Sequence, residues 1–559
     1  FTWTMPIVFS PQDPKTLYFA SQYLLRSTDA GMNWTAISPD LSRNDKSKQG
    51  TSGGPVSQDN ASAEFYDLIY SIAPSPLAAG QIWVGTDDGL IHLTRDGGKT
   101  WANVTPKGMP EWAKVGIIEA SHFDAGTAYA AVDAHKLDDF NPYVFVTRDY
   151  GKHWDRIDKG LSAPGYVNVV REDPVQKGLL YVGTELGAFV SLDDGKDWQP
   201  LQLNLPTTSV RDLVVKDGDL VAATHGRGFW ILDDVSPLRE LAAGASPNTD
   251  HLYAPRPAVR LHDQSSGNLP YESVGDNPPE GVILYYSLAA KPKQPFTIDI
   301  TDSTGAVVRS FSSVEKPPKN PLPLEFPNEE EPKPEALEAD AGMHQQVWDL
   351  RHDSPPAIKG AYTDSGGPVG LLVLPGSYTV TLKVNGKSYS QPLTVTADPR
   401  SHVRPEALQQ QYGLMVKLDQ AVREDHAAAN TIVDVRRQLA AIQERFAGDP
   451  AAADIVSAAA ALDAKLAPVL EPLYQYHAHA EEEQLNYPSD LNSQLSYLEE
   501  SVDSADSAPT AQQGDMYVTL RGRLDKALAD WKALSPDIAA LNAEIQKAGY
   551  GPVQLAGGG

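Results

Sequence analysis

The chain has no cysteine, so its chemistry must come from carboxylates, imidazoles, guanidinium groups and hydroxyls. Glycosidic-bond hydrolysis needs two carboxyl groups flanking one sugar, about 5–9 Å apart. Asp87, Asp88, Glu119, Glu185 and Asp212 are the candidates, supplied by different repeats of the first half. With 73 acidic residues in the chain, a few carboxylates near one another are expected by chance, so their presence alone selects nothing. Three arginines converging on an acidic sugar would have to be Arg171, Arg211 and Arg227, which fall at different strand ends. His477 and His479 stand two apart in a segment read as helix, where that spacing points them to different faces, so no metal site is predicted. His426 falls on an apolar helix seam and reads as a core histidine. There is no His-Glu-x-x-His, no phosphate-binding glycine loop and no Gly-x-Ser-x-Gly. His225-Gly226-Arg227-Gly228 reads as a tight turn. No cofactor is implied.

The elements that position these groups repeat. Four stretches spell a hydroxyl, then Asp, Gly and Trp: Ser27 to Trp34, Thr94 to Trp101, Thr147 to Trp154 and Ser191 to Trp198. Asp29, Asp96, Asp149 and Asp193 can accept bonds from the turn's own N–H groups, and the glycines permit positive φ. Each tryptophan then buries an apolar face at the start of the next strand. The pattern resembles the Asp-box turn of sialidase-like β-propellers, a structural element. Before each turn lies a short apolar strand: LYFAS, IWVGT, AYAAV and LYVGT, with a fifth copy, LVAAT, that has no Asp-box after it. Spacings of roughly 40–65 residues suit four-stranded propeller blades. Phe1 to Phe9 reads as an inner strand with no blade before it, and the fifth repeat lacks an outer strand. Residues 1–235 are therefore expected to be the C-terminal part of a larger propeller, completed by a missing N-terminal half or a second chain. The rival is a five-bladed ring complete in itself.

In a blade, the turn between strands two and three lies opposite the Asp-box. The residues after each second strand thus share one face: Gln22, Asp87 with Asp88, His135 with Lys136, Glu185, and His225 with Arg227. Asp87, His135, Glu185, His225 and Arg227 are the predicted binding residues, for a protein, peptide or glycan ligand. The insertion Ser38 to Glu64, with Gly53-Gly54-Pro55, joins the same face.

Two further regions follow. Residues 236–398 carry alternating strands, a Ser303-Thr304-Gly305 turn and an Asn385-Gly386 hairpin turn, and suggest an immunoglobulin- or fibronectin-like β-sandwich. Residues 316–340, rich in Pro and Glu, read as a disordered loop. Residues 399–559 are helical: a long helix from Pro405 to Phe446, a second over about 450–483 kinked at Pro468 and Pro472, a third near 490–503 and a last near 510–548. The fold class is thus mainly β with an α-helical C-terminal region: about five blades of a partial propeller, a sandwich, and a helical bundle or hairpin.

Lys plus Arg number 46 against 73 acidic residues, a net charge of −27, which disfavours nucleic acid and anionic membranes. No apolar run is long enough to span a bilayer. The abundance of Asn, Thr, Ser, Gly and aromatic residues in the first half fits an exported bacterial protein, periplasmic or extracellular.

The Asp-box series, LDDFNPYVF, THGRGFWILDD, VWDLR, LPGSYTV and LTVTADPR together resemble large bacterial exported proteins labelled "glycosyl hydrolase, BNR repeat" or "sortilin-like". That resemblance implies a long propeller region ahead of the part seen here. Its sortilin side implies a peptide-binding propeller, although the absence of cysteine excludes the disulfide-rich module of true sortilins. The expected function is a binding or assembly module; the alternative is a polysaccharide-active hydrolase with carboxylates on the channel face.

Overall fold

Short apolar strands separated by tight turns pair with their neighbours in sequence, and the first half of the chain is a succession of such sheets. The computed structural model describes residues 2–51, 53, 55–57, 65–262, 275, 277–314, 336–358, 369–477, 483, 485–549 and 551–554. The first sheet is β1 (Ile7–Phe9), β2 (Leu17–Ala20), β3 (Leu24–Ser27) and β4 (Thr35–Ala36). The second is β5 (Ile69–Pro74), β6 (Ile82–Thr86), β7 (Ile91–Thr94) and β8 (Ala102–Asn103). The third is β9 (Lys114–Ala120), β10 (Ala128–Asp133), β11 (Tyr143–Thr147) and β12 (Asp155–Arg156), and the fourth is β13 (Val167–Glu172), β14 (Leu180–Thr184), β15 (Ala188–Ser191) and β16 (Gln199–Pro200). The fifth has three strands: β17 (Ser209–Lys216), β18 (Asp219–His225) and β19 (Phe229–Leu232). All are antiparallel with strands in chain order.

The core of this half lies between successive sheets. Tyr18 and Leu24 meet Ile69 and Val84, Trp83 and Leu93 meet Val115 and Ile118, Tyr129 and Val146 meet Val170 and Val182, and Tyr181 and Val190 meet Val210 and Leu213. The approach is close. A Cβ on Gly183 of β14 would stand 2.7 Å from the side chains of both Val169 and Val210, so the glycine of the Gly-Thr pair is a packing requirement.

The four Asp-containing turns share one hydrogen-bond pattern. The hydroxyl donates to the aspartate (Ser27 2.8 Å, Thr94 2.9 Å, Thr147 3.1 Å, Ser191 2.9 Å). The same hydroxyl oxygen accepts from the glycine N–H at 2.9, 3.0, 2.9 and 2.9 Å. Bonds from the side chain and backbone of residue 33, 100 or 153 hold Asp29, Asp96 and Asp149 down at about 2. The tryptophans do more than start the next strand: those of the second, third and fourth sheets reach back to the preceding sheet. The indole of Trp101 donates to the Ile37 carbonyl (3.0 Å), that of Trp154 to Val104 (2.7 Å) and that of Trp198 to Ile157 (2.6 Å). Trp34, whose sheet follows no other among the described residues, is 37% exposed.

The chain divides into two compact units, Phe1–Ser246 and Pro247–Gly559. The first extends past residue 235 because α1 (Ser236–Ala242) packs Leu238 and Ala242 onto the last sheets and pairs Arg239 with buried Asp173 at 3.0 Å.

The second unit contains β20 (His251–Leu252), β21 (Ala258–Arg260), β22 (Val282–Leu288), β23 (Thr297–Thr301), β24 (Val307–Ser312), β25 (Gly342–Trp348), β26 (Gly376–Val384) and β27 (Lys387–Ala397). They form a three-stranded sheet, β20-β22-β25, and a five-stranded sheet, β21-β27-β26-β23-β24, around one core that includes Trp348, Tyr286 and Val380. Asn385 and Gly386, at φ 52° and 74°, turn β26 into β27. The loop read at 316–340 lies outside the described residues as far as 335.

Five helices follow: α2 (Pro405–Arg445), α3 (Ala453–Leu470), α4 (Leu491–Asp503), α5 (Ala511–Ala533) and α6 (Ser535–Lys547). Two expectations are corrected. The second helix stops at Leu470 instead of running to 483, and the Pro472 and Leu473 carbonyls accept N–H groups from the start of α4. The last helix is two, because Pro536 opens a new helix after Leu534. His477 is thus outside any helix, its ring stacked on Tyr487 at 5.5 Å; His479 is outside the described residues. Sheets and helices share contacts within this unit: Arg351 pairs with Asp503 at 2.9 Å, Arg260 with Asp506, and the Pro356 carbonyl meets His426 Nδ1 at 2.8 Å. Among the described residues, no helix is long and apolar enough to cross a membrane.

Candidate functional site

Antiparallel pairing puts the β6–β7, β10–β11, β14–β15 and β18–β19 turns at one end of the sheets and the Asp-containing turns at the other. The entries to β5, β9 and β13 lie at the first end too. A cavity of 360 Å³ opens there, lined by Lys48, Tyr66, Asp87, Trp112, Lys114, Asp133, Ala134, Lys136 and Leu137.

One wall is acidic. Asp87 Oδ1 accepts the Leu68 N–H at 2.8 Å. Asp88, fully buried, accepts from the Arg43 N–H at 2.6 Å and from the Thr86 hydroxyl. Asp67 is 1% exposed; one oxygen takes Gln49 Nε2 at 2.9 Å and Oδ1 has no hydrogen-bond partner among the described residues. Burial, with Asp88 and Asp67 beside it, outweighs the Leu68 bond and pushes Asp87 up to about 7. Burial also raises Asp88, and its contact with Asp67 adds to the rise.

The facing wall is different. Asp133 is buried but lies 3.1 Å from Lys114 Nζ and 2.6 Å from His135 Nδ1. Burial alone would raise it; Lys114 and the His135 N–H outweigh that and hold it below its ordinary value. Between the walls, Tyr66 stacks on Trp112 at 6.4 Å and 29°. Arg43 and Lys48 lie over the Trp112 ring at 4.5 and 4.6 Å. Trp112 holds φ at +66°, a left-handed conformation that is strained for a bulky side chain.

The other predicted residues fall into two groups. His135 stacks on Tyr166 at 4.5 Å and 15°. Glu185 accepts from Ser209 at 2.6 Å and lies 3.3 Å from Arg211, which lies 3.4 Å from His225 Nδ1. Burial would raise Glu185, but Ser209, Tyr166 and Arg211 together lower it. This chain of contacts links His135, Glu185 and His225 across the third to fifth sheets. Glu119 and Asp212 stand elsewhere, partway along β9 and β17, clamped by Arg171 at 2.9 and 2.7 Å. Arg171 is thus engaged between two carboxylates and Arg211 with Glu185, so no three-arginine site assembles. Arg227 sits in the β18–β19 turn, its N–H on Thr224 Oγ1 at 3.1 Å. Gln22 follows β2, and its carbonyl accepts from Leu41. Among the described residues, no cluster of three His, Cys, Asp or Glu could hold a metal.

Tyr66, Asp67, Trp112, Lys114 and Asp133 were not anticipated. A signal for the aromatic ones exists: Tyr66, Trp112 and Tyr166 each stand one to three residues ahead of the first strand of a sheet.

No family model matches the chain. A probable oligoxyloglucan-reducing end-specific xyloglucanase of Neosartorya fischeri is 29% identical over 108 residues. The match covers 19% of this chain and 13% of that protein, so the chain spans a small part of the relative's length. Among solved structures, the GH74 xyloglucanase of Xanthomonas campestris is similar with a TM-score of 0.33 and 14% identity, over 69% of this chain and 63% of that one. YCF48 bound to D1 peptide is similar with a TM-score of 0.27 and 15% identity, over 41% of this chain and 69% of that one.

Proposed function

We propose that residues 1–246 are an open series of Asp-box propeller blades that act as a binding module of an exported protein. The proposal keeps the BNR-repeat character of the turns and treats the remainder of the propeller as belonging to another segment or chain. The eight strands of the second unit are read as a β-sandwich, with the helices as a bundle packed on it. The ligand, a protein, peptide or glycan, is received at the cavity between Asp87 and Asp133. The observation that supports this most directly is the strained Trp112, stacked with Tyr66 on a cavity that holds both acidic and basic side chains. Pockets that combine an aromatic wall with a few placed polar groups are the usual form of ligand sites. The test is a glycan and peptide array read against wild type and Trp112→Ala. Loss of the captured ligands in the variant, with unchanged melting, supports the reading; capture indifferent to Trp112 refutes it.

One observation favours a second reading, hydrolysis of a polysaccharide. Asp87 is raised and Asp133 lowered, and both line one cavity. A proton-holding carboxyl beside an ionised one is the division of labour that glycoside hydrolysis uses. On this reading Asp87 is the acid and Asp133 the base. Asp87→Asn then lowers turnover of a glycan screen by about 100-fold or more; activity that survives the substitution excludes the assignment.

A further inference from the structure

Among the described residues the fifth sheet has three strands where the four preceding sheets have four, and those four show what belongs at the position beside β19. In each, the fourth strand pairs with the two residues that precede the last residue of the third strand: Leu25 and Arg26, His92 and Leu93, Phe145 and Val146, Phe189 and Val190. The next residue, Ile37, Val104, Ile157 or Leu201, donates its N–H to the third-strand carbonyl just before that pair, of Leu24, Ile91, Val144 or Ala188, at 2.8–2.9 Å. Ile37, Val104 and Ile157 are then covered by the following sheet, whose turn tryptophan bonds that same residue's carbonyl. Leu201 is the fourth member of this set, and the sheet after it has no such turn. It lines an open apolar notch with Leu205, Leu213, Leu220, Trp230 and Leu232. Beside the notch, Phe229 and Ile231 of β19 are 78% and 59% exposed, whereas Ile91 and Leu93, their counterparts in β7, are 0% and 5% exposed.

We propose that β19 and the Leu201 notch form an acceptor site for a strand of another polypeptide headed by tryptophan, in the pattern Trp-x-x-apolar. The strand pairs antiparallel with β19 opposite Trp230 and Ile231. The N–H of its apolar residue meets the Phe229 carbonyl, and its indole enters the notch and donates to the Leu201 carbonyl. An unpaired sheet edge invites strand addition in which main-chain bonds give affinity and side-chain pockets give selectivity. Here the selecting pocket is the tryptophan position, defined by three filled copies in the same molecule. The site is independent of the Asp87 cavity.

The test uses the full chain and a labelled peptide of residues 94–104, Thr-Arg-Asp-Gly-Gly-Lys-Thr-Trp-Ala-Asn-Val. Fluorescence anisotropy should show saturable binding, and hydrogen exchange should slow at residues 229–232. The same peptide with alanine for tryptophan should bind about tenfold or more weakly, as expected for a buried aromatic anchor. Leu201→Lys in the protein should reduce binding with an unchanged melting temperature. Equal binding of the Trp and Ala peptides overturns the proposal, as does slowed exchange confined to other strands. So does self-association of the chain through β19 that excess peptide fails to dissolve, which would assign the edge to a second copy. No binding at about 1 mM peptide, an affinity worth only about 4 kcal/mol, overturns it too.

Discussion

Asp87→Asn is the most informative substitution because its effect changes with pH in a calculable way. The amide keeps an oxygen for the Leu68 N–H (2.8 Å) and removes the ionisation. Burial and the neighbouring Asp67 and Asp88 hold the wild-type carboxyl at about 7 against an ordinary value of 3.8. A group raised in the folded state contributes its full stability below its unfolded value and loses it as pH rises through the folded one. The wild-type unit should therefore weaken relative to Asp87→Asn from about pH 4 to about pH 7, then hold a constant difference. Each pH unit is worth about 1.4 kcal/mol, so the difference opens by roughly 4 kcal/mol, an upper bound because Asp87 and Asp88 repel one another as they ionise. For a unit of this size that is about 8–16 °C in melting temperature. The assay is differential scanning calorimetry of both proteins from pH 4.5 to 8.5, following the transition of residues 1–246. Asp88→Asn, which removes one repelling neighbour, should shift the wild-type slope to lower pH. Parallel melting curves for wild type and Asp87→Asn across that range would refute a protonated Asp87.

Three further outcomes are expected. Thr94→Val leaves the Gly98 N–H without its acceptor and takes from Asp96 Oδ1 one of its two donors, the other being the Thr100 N–H, and should cost about 1–3 kcal/mol by urea unfolding while ligand capture is unchanged. Trp154→Phe loses the bond to the Val104 carbonyl (2.7 Å) and should destabilise the junction of the second and third sheets by about 1–2 kcal/mol, seen as faster hydrogen exchange in β8 and β12. In the second unit, burial with Asp419 and Asp503 pushes Glu499 up to about 8, and its Oε1 has no partner. The melting temperature of that unit should fall as pH rises from about 4.5 to 8, and Glu499→Gln should flatten the decline; an unchanged slope would place the proton elsewhere.

Much of the architecture is local and was legible. A hydroxyl, an aspartate and a glycine close each turn within eight residues, so the four turns and the strands they join could be read from spacing. The Asn385-Gly386 hairpin is of the same kind. What escaped depends on residues distant in sequence. Asp133 is told apart from Asp87 by Lys114, which lies across a strand pair, and by burial, which no spacing reveals. Spacing does not single out Trp112, because it stands in a loop of no fixed length ahead of β9. The tryptophans of the turns look local in the sequence, yet the indoles of Trp101, Trp154 and Trp198 bond carbonyls 41 to 64 residues away. In the same way, the strands of 236–398 and the helices of 399–559 read as separate regions in the sequence, because the Arg260–Asp506 and Arg351–Asp503 pairs that join them span 246 and 152 positions.

The equivalent positions of the sheets differ in one respect that bears on function. After β14, Glu185 is satisfied by a hydroxyl, a phenol and a guanidinium, and its proton is held less tightly than usual. After β6, Asp87 and Asp88 crowd against Asp67, whose Oδ1 is buried without a hydrogen-bond partner among the described residues. The loop that faces them holds Trp112 at a φ of +66°. Strain and unpaired buried carboxylates both oppose folding, and they persist only where surrounding structure over-determines them. Turn geometry does not require the crowded carboxylates, since the fourth sheet makes the same turn with a satisfied Glu185, although the loop that follows that sheet also holds a non-glycine residue, Leu203, at a φ of 43°. The cost is concentrated between the second and third sheets, beside the cavity. On the proposed binding reading the ligand accordingly sits at Asp87, Trp112 and Asp133, with His135, Glu185 and His225 as the relaxed flank that continues the same end of the sheets.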